Sequence, residues 1–208
     1  MSHFRKTSLT YREKYDGKHR FEHWYRDNQV YFITARCRAG TAAFALPKAQ
    51  EIVWTKFDQY TAEFDFEPWV TSLMTNHYHT LGYLRKKENL GPMMQRLHGS
   101  VAKLVNDTNE EDGMERLTPF WGDTKHNDYM DGCIRDELQA DRAYRYVLMQ
   151  AVKARVVKEW REYPNTRVQR ERGEAIGWAR EHAAFMYGVE YPRYRKVKGA
   201  RKSQQQSR

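Results

Sequence analysis

The sequence predicts an α+β domain of the ferredoxin-like type, βαββαβ: an antiparallel sheet with helices on one face, followed by C-terminal helices. Three observations predict it. Strand-like runs occur at 29–37, 66–74 and 77–84. Two stretches with helical periodicity fall between and after them. The short apolar segment Leu117 to Trp121 stands where a last strand is needed.

Gln29 to Cys37 is dense in β-branched and aromatic residues, the composition of a strand, and Gly40 ends it. Leu46-Pro47 then opens a helix, because proline fits the first turn, where its missing N–H has no partner to lose. Ile52, Val53, Lys56, Phe57, Tyr60 and Phe64 recur three to four residues apart, as one helix face requires. Phe66 to Met74 reads as a strand in which Pro68 sits near the start. His77 to Leu84 reads as another. Leu90 to Asn106 is a second helix, with Met93, Met94, Leu97, Val101, Leu104 and Val105 on one side. Asp107 to Gly113 is acidic and turn-like. Asn127 or Asp128 can cap a third helix containing Tyr129. Leu138 to Trp160 reads as a long helix, with Ala143, Tyr146, Val147, Met149, Gln150, Val152 and Val156 among its candidates for burial. Glu174 to Tyr187 is the last. No internal repeat is visible. The chain divides into a basic N-terminal arm (1–27), a central domain (28–165), and a C-terminal helix with a basic tail (166–208).

The 208 residues suffice for one domain with a real core. Charged residues make up 30%, no apolar run approaches the length of a membrane span, and the N-terminus is too polar for a signal peptide. Aromatics at 14% argue against a disordered chain. Two cysteines, Cys37 and Cys133, lie far apart and in no metal-binding spacing, which fits a reducing, cytoplasmic setting. The net charge is +9, and the stretch from Arg193 to Arg208 carries seven cations and no acid. Such an excess suits a polyanion, held by sequence-blind and salt-sensitive phosphate contacts.

His77-Tyr78-His79 is the first candidate for chemistry. On a strand, residues two apart share a face, so both imidazoles project together while Tyr78 turns to the core. Two imidazoles can hold a divalent metal whose shell is completed by oxygens. On a central strand the pair would lie on the open face of the sheet. Tyr129 is the second candidate. It sits among charged and small residues, from His126 to Glu137, rather than on an apolar helix face. A phenol has a reference pKa near 10 and needs a metal, a base or a charge-accepting substrate to act as a nucleophile.

Together these segments resemble the single-tyrosine HUH transposases, most closely the REP-associated tyrosine transposases. Leu73-Met74-Thr75-Asn76-His77-Tyr78-His79 looks like the family's Met-Pro-Asn-His-x-His, with Thr75 in place of proline. Tyr31 to Arg36 looks like its first strand, and Leu90 to Asn106 like its middle helix. Phe120-Trp121, Tyr129 and Ile134-Arg135-Asp136-Glu137 look like its tryptophan, catalytic tyrosine and following acidic helix. Tyr146 to Val157 looks like its tyrosine-containing closing helix, with Gln150-Ala151 where the family has Asn-Pro.

The resemblance implies a metal-dependent single-stranded DNA endonuclease and transposase. Mg²⁺ or Mn²⁺ would lie on His77 and His79, and Tyr129 would attack the scissile phosphate to form a 5′-phosphotyrosine. The family often takes a third ligand from one turn beyond the tyrosine. That position offers only Gly132 and Cys133, leaving His126 or Asp131 as substitutes. The implied partner is single-stranded or hairpin DNA, held by the basic arms with stacking from Trp24 or Trp121. A homodimer is compatible with the family, and no membrane is involved. The alternative is a module that has lost cleavage and keeps hairpin DNA or RNA binding. A histidine phosphoesterase is disfavoured, because its required pair of His-x-Ser/Thr motifs is absent.

Overall fold

The structure, a computed structural model, describes residues 26–38, 40–122 and 129–187. The basic stretches at 1–25 and 188–208, with Trp24 and the segment holding His126, lie outside the described residues.

The elements run β1 (Gln29–Arg36), α1 (Pro47–Glu63), β2 (Phe66–Leu73), β3 (His77–Leu84), α2 (Leu90–Glu111), β4 (Tyr129–Ile134), α3 (Glu137–Leu148), α4 (Gln150–Lys153), β5 (Thr166–Val168) and α5 (Arg172–Tyr187). All pairings are antiparallel, and the strand order is β4-β1-β3-β2-β5. The expected α+β sheet is present, widened by β5 on the β2 edge. Gly82 on β3 has no room for a side chain: a Cβ there would stand 2.5 Å from the Glu67 carbonyl oxygen of β2.

Each strand alternates between two cores. Tyr31, Ile33, Ala35, Leu73, Tyr78 and Leu84 point to one face and meet Val53, Phe57, Met94, Leu97 and Val101 of α1 and α2. Val30, Val70, Leu81 and Ile134 point to the other, where Ala140, Tyr144 and Val147 of α3 and Ala175, Ile176 and Ala179 of α5 cover them. The C-terminal helices therefore close much of the face expected to be open. Residues 166–187 also pack into the same body as the rest of the sheet, through β5 and α5.

Three elements differ from their sequence readings. Helix α2 continues five residues past Asn106, because its acidic end is neutralised: Lys103 bonds Asp107 at 2.6 Å and Arg116 reaches Asp107 and Glu110 at 3.2 and 2.7 Å. Leu117 to Trp121 is no strand beyond one bridge from Trp121 to Cys37. The fourth strand is Tyr129–Ile134 instead, where a helix was expected. Its local polarity is overridden by register with β1, which pairs Ala35 with Tyr129 and Val30 with Ile134. The long helix from 138 breaks: α3 ends at Leu148, α4 at Lys153, and the chain turns at Arg155 with φ +58°. The N–H of Arg155 bonds the Val152 carbonyl and that of Val156 bonds Ala151, each at 2.9 Å, which is a Schellman termination.

Candidate nucleic-acid cleavage site

The register of β3 determines where the histidines go. Tyr78 turns into the α1–α2 core, where its hydroxyl meets His98 Nε2 at 3.0 Å. His77 and His79 emerge together on the opposite face, with ring centroids 4.9 Å apart. His79 is nearly buried, 4% exposed, and stacks on Phe32 of β1 at 5.8 Å. The pair thus sits at the rim of the face that α3 covers, rather than on an open sheet.

Each ring has its Nδ1 engaged, and His77 also bonds the Gln150 side chain. Thr34 Oγ1 lies 2.7 Å from His79 Nδ1, and Asn76 Oδ1 lies 2.6 Å from His77 Nδ1. Such partners orient an imidazole and leave its other nitrogen for a ligand. Burial pushes the His79 pKa down to about 3, helped by His77, Arg36 and Lys153. Burial and Arg36 also lower His77, while contact with the Gln150 side chain pulls the other way. Both rings are held neutral, the state in which imidazole can bind a metal.

Tyr129 does not join them. It is the first residue of β4, 9% exposed, and faces the α2 side, with its ring 5.8 Å from that of His98. The sheet separates it from His77 and His79. Asp131, two residues on, shares its face and is likewise on the wrong side. Trp121 also belongs to that core: it stacks on His98 at 4.2 Å and donates its indole N–H to the His98 carbonyl at 3.0 Å.

Among the described residues, the tyrosine that packs against His79 is Tyr146 of α3. Its ring stands edge-on to His79 at 5.0 Å and to Phe32 at 5.8 Å. Tyr146 is 41% exposed. Its hydroxyl has no hydrogen-bond partner among the described residues, whereas those of Tyr31, Tyr60, Tyr78, Tyr83, Tyr144 and Tyr163 all do. Gln150 follows one turn later, with its amide N–H donating to the Tyr146 carbonyl at 3.1 Å. Lys153 follows another turn on and places Nζ 4.4 Å over the Tyr146 ring. The i, i+4, i+7 spacing of Tyr146, Gln150 and Lys153 was the sequence signal for this grouping. Reading Tyr146 and Gln150 as candidates for burial hid it.

Among the described residues, no cluster of three or more His, Cys, Asp and Glu side chains could hold a metal. The donor set that the geometry gathers is two neutral imidazoles and the amide oxygen of Gln150. That set fits a borderline cation such as Mn²⁺ better than Mg²⁺, which prefers an all-oxygen shell. The same surface is cationic, since Arg36 of β1 lies directly across from His77 in the β1–β3 ladder.

The chain superposes on the structure of a REP-associated tyrosine transposase bound to a REP hairpin, with a TM-score of 0.55 and 14% identity. The match covers 70% of this chain and 80% of that one. The two share a fold. A protein from Deinococcus radiodurans assigned as a transposase also aligns, at a TM-score of 0.40 and 10% identity over 61% of this chain and 93% of that one. No protein-family model and no curated protein sequence matches the chain. No helix among the described residues is long and apolar enough to cross a membrane.

Proposed function

We propose that the protein cleaves and rejoins single-stranded DNA beside a hairpin, with Tyr146 in place of Tyr129 as the nucleophile and with His77, His79 and Gln150 as the metal-binding set. The observation that carries this reading is the Tyr146 hydroxyl, exposed and unbonded, on a ring packed against His79. Shared fold with a transposase whose structure holds a REP hairpin supports DNA of that kind as substrate.

In this reading the phosphodiester enters along the helix face of Tyr146, Gln150 and Lys153. A divalent cation on the two imidazoles and the amide would polarise a phosphoryl oxygen and offset the charge that builds on it. Tyr146 Oη attacks phosphorus in line and its proton leaves to solvent. The bond from phosphorus to the 3′ oxygen breaks, that oxygen takes up a proton, and the 5′ end stays on Tyr146 as a phosphotyrosine. One ester replaces another, so the reverse step needs no nucleotide cofactor. Phe32 holds the His79 ring flat from below, and Thr34 fixes its orientation.

The test is a covalent adduct. Protein is mixed with Mn²⁺ and a labelled hairpin oligonucleotide carrying randomised single-stranded flanks, resolved under denaturing conditions, and digested for mass spectrometry. A phosphotyrosyl peptide spanning Tyr146 is expected. Tyr146→Phe should abolish it and Tyr129→Phe should leave it. Hairpin binding without any adduct would favour the module that binds and does not cut.

A further inference from the structure

Cations on the described surface divide between those tied to a carboxylate and those, such as Arg38 and Lys56, that are not. Arg96, Arg116, Arg167, Arg170, Arg172 and Arg180 are each tied to a carboxylate. Arg36 and Lys153 have no carboxylate partner among the described residues. They stand beside the histidine pair on two elements. Arg36 ends β1 and pairs with His77 in the ladder, which puts both side chains on one face. Lys153 ends α4 and lies over the Tyr146 ring at 4.4 Å. Both charges reach His79, and among the described residues no acid is among the groups that shift either imidazole. Two cations and two neutral rings, with no carboxylate acting on them among the described residues, repel a bare metal ion mildly and attract an anion strongly.

We propose that Arg36 and Lys153 form a two-point phosphate grip, beside His77 and over Tyr146, that holds neighbouring phosphates of the strand across Tyr146. This rests on the reading that the Tyr146 face receives a nucleic-acid strand. Arg36, with a planar fork of donors, takes one phosphate in a directed contact. Lys153 contributes a point charge, and its ammonium over the aromatic face keeps the Tyr146 ring aligned. Lys153 is thus both a phosphate ligand and a positioning residue.

The grip can be tested without cleavage. In the Tyr146→Phe protein, affinity for a fluorescein-labelled hairpin with a single-stranded dT flank is measured by anisotropy over a range of NaCl concentrations. Each phosphate contact to a single strand adds about 0.7 to the slope of log K against log salt. Arg36→Met and Lys153→Met should each lower the slope by about 0.7, and the double variant by about 1.4. Arg36→Lys and Lys153→Arg should restore it. Lys56→Met, on α1 against the opposite face, should leave it unchanged. Melting curves followed by circular dichroism establish that each variant is folded. A parental slope in either methionine variant, or in the double variant, overturns the grip. Absence of an adduct from the wild-type protein would instead count against cleavage, and the two failures are separable because the salt slopes are read in a protein that cannot cleave.

Discussion

His79 and Tyr146 meet edge to face, 5.0 Å between ring centroids, with Phe32 packed against both. Phe32 is therefore the floor that sets the distance from imidazole to phenol. Shortening it should let the two rings drift. Phe32→Leu is expected to slow adduct formation by about 10- to 100-fold, the penalty typical of a small misplacement of reacting groups, with hairpin affinity nearly unchanged. Single-turnover kinetics beside anisotropy checks the split.

Thr34 acts on the other side of the same ring. Its Oγ1, 2.7 Å from His79 Nδ1, holds the imidazole orientation that leaves the second nitrogen facing outward. Thr34→Val keeps the shape and removes the hydroxyl. Mn²⁺ affinity by isothermal titration should fall about 10- to 100-fold, as is usual when the group behind a ligand is lost. An unchanged affinity would mean that His79 is not a ligand.

The donor set has no negative charge of its own, and Arg36 and Lys153 add positive charge beside it. Metal and DNA should therefore help one another, since the phosphate supplies the anion that the side chains lack. In the Tyr146→Phe protein, a saturating hairpin is expected to tighten Mn²⁺ binding by about 5- to 100-fold, and saturating Mn²⁺ should tighten the hairpin by the same factor. Equal Mn²⁺ affinities with and without DNA would contradict this.

Arg155 closes α4 in the left-handed region, at φ +58°. A residue with a Cβ is strained there and glycine is not. Arg155→Gly should raise stability by about 0.5–1 kcal/mol after allowing for the greater freedom of glycine in the unfolded chain. Urea unfolding with an unchanged m-value measures it.

Much of the sheet was legible because its strands carry their pattern locally. His77 to Leu84 alternates between two cores, and the spacing alone predicts both its bounds and the shared face of the two histidines. Pro47 likewise marks the start of α1. Strand β4 was not legible, because nothing between Tyr129 and Ile134 requires a strand until β1 lies beside it. That reading carried Tyr129 into the site, whereas its register on β4 turns it to the α2 side. Tyr146 was hidden for the opposite reason. Its helix is amphipathic, and Tyr144 and Val147 beside it are core residues. The surface role of one aromatic in that run depends on how the helix is rotated over the sheet, which periodicity cannot resolve to a single residue.

The histidines ride on a central strand and the phenol, amide and ammonium on one helical face of the same polypeptide. In the proposed reading, the groups assigned to strand scission are all carried in cis. Diluting the protein should then leave adduct formation per molecule untouched, and mixing a Tyr146→Phe variant with a His79→Ala one should not restore it.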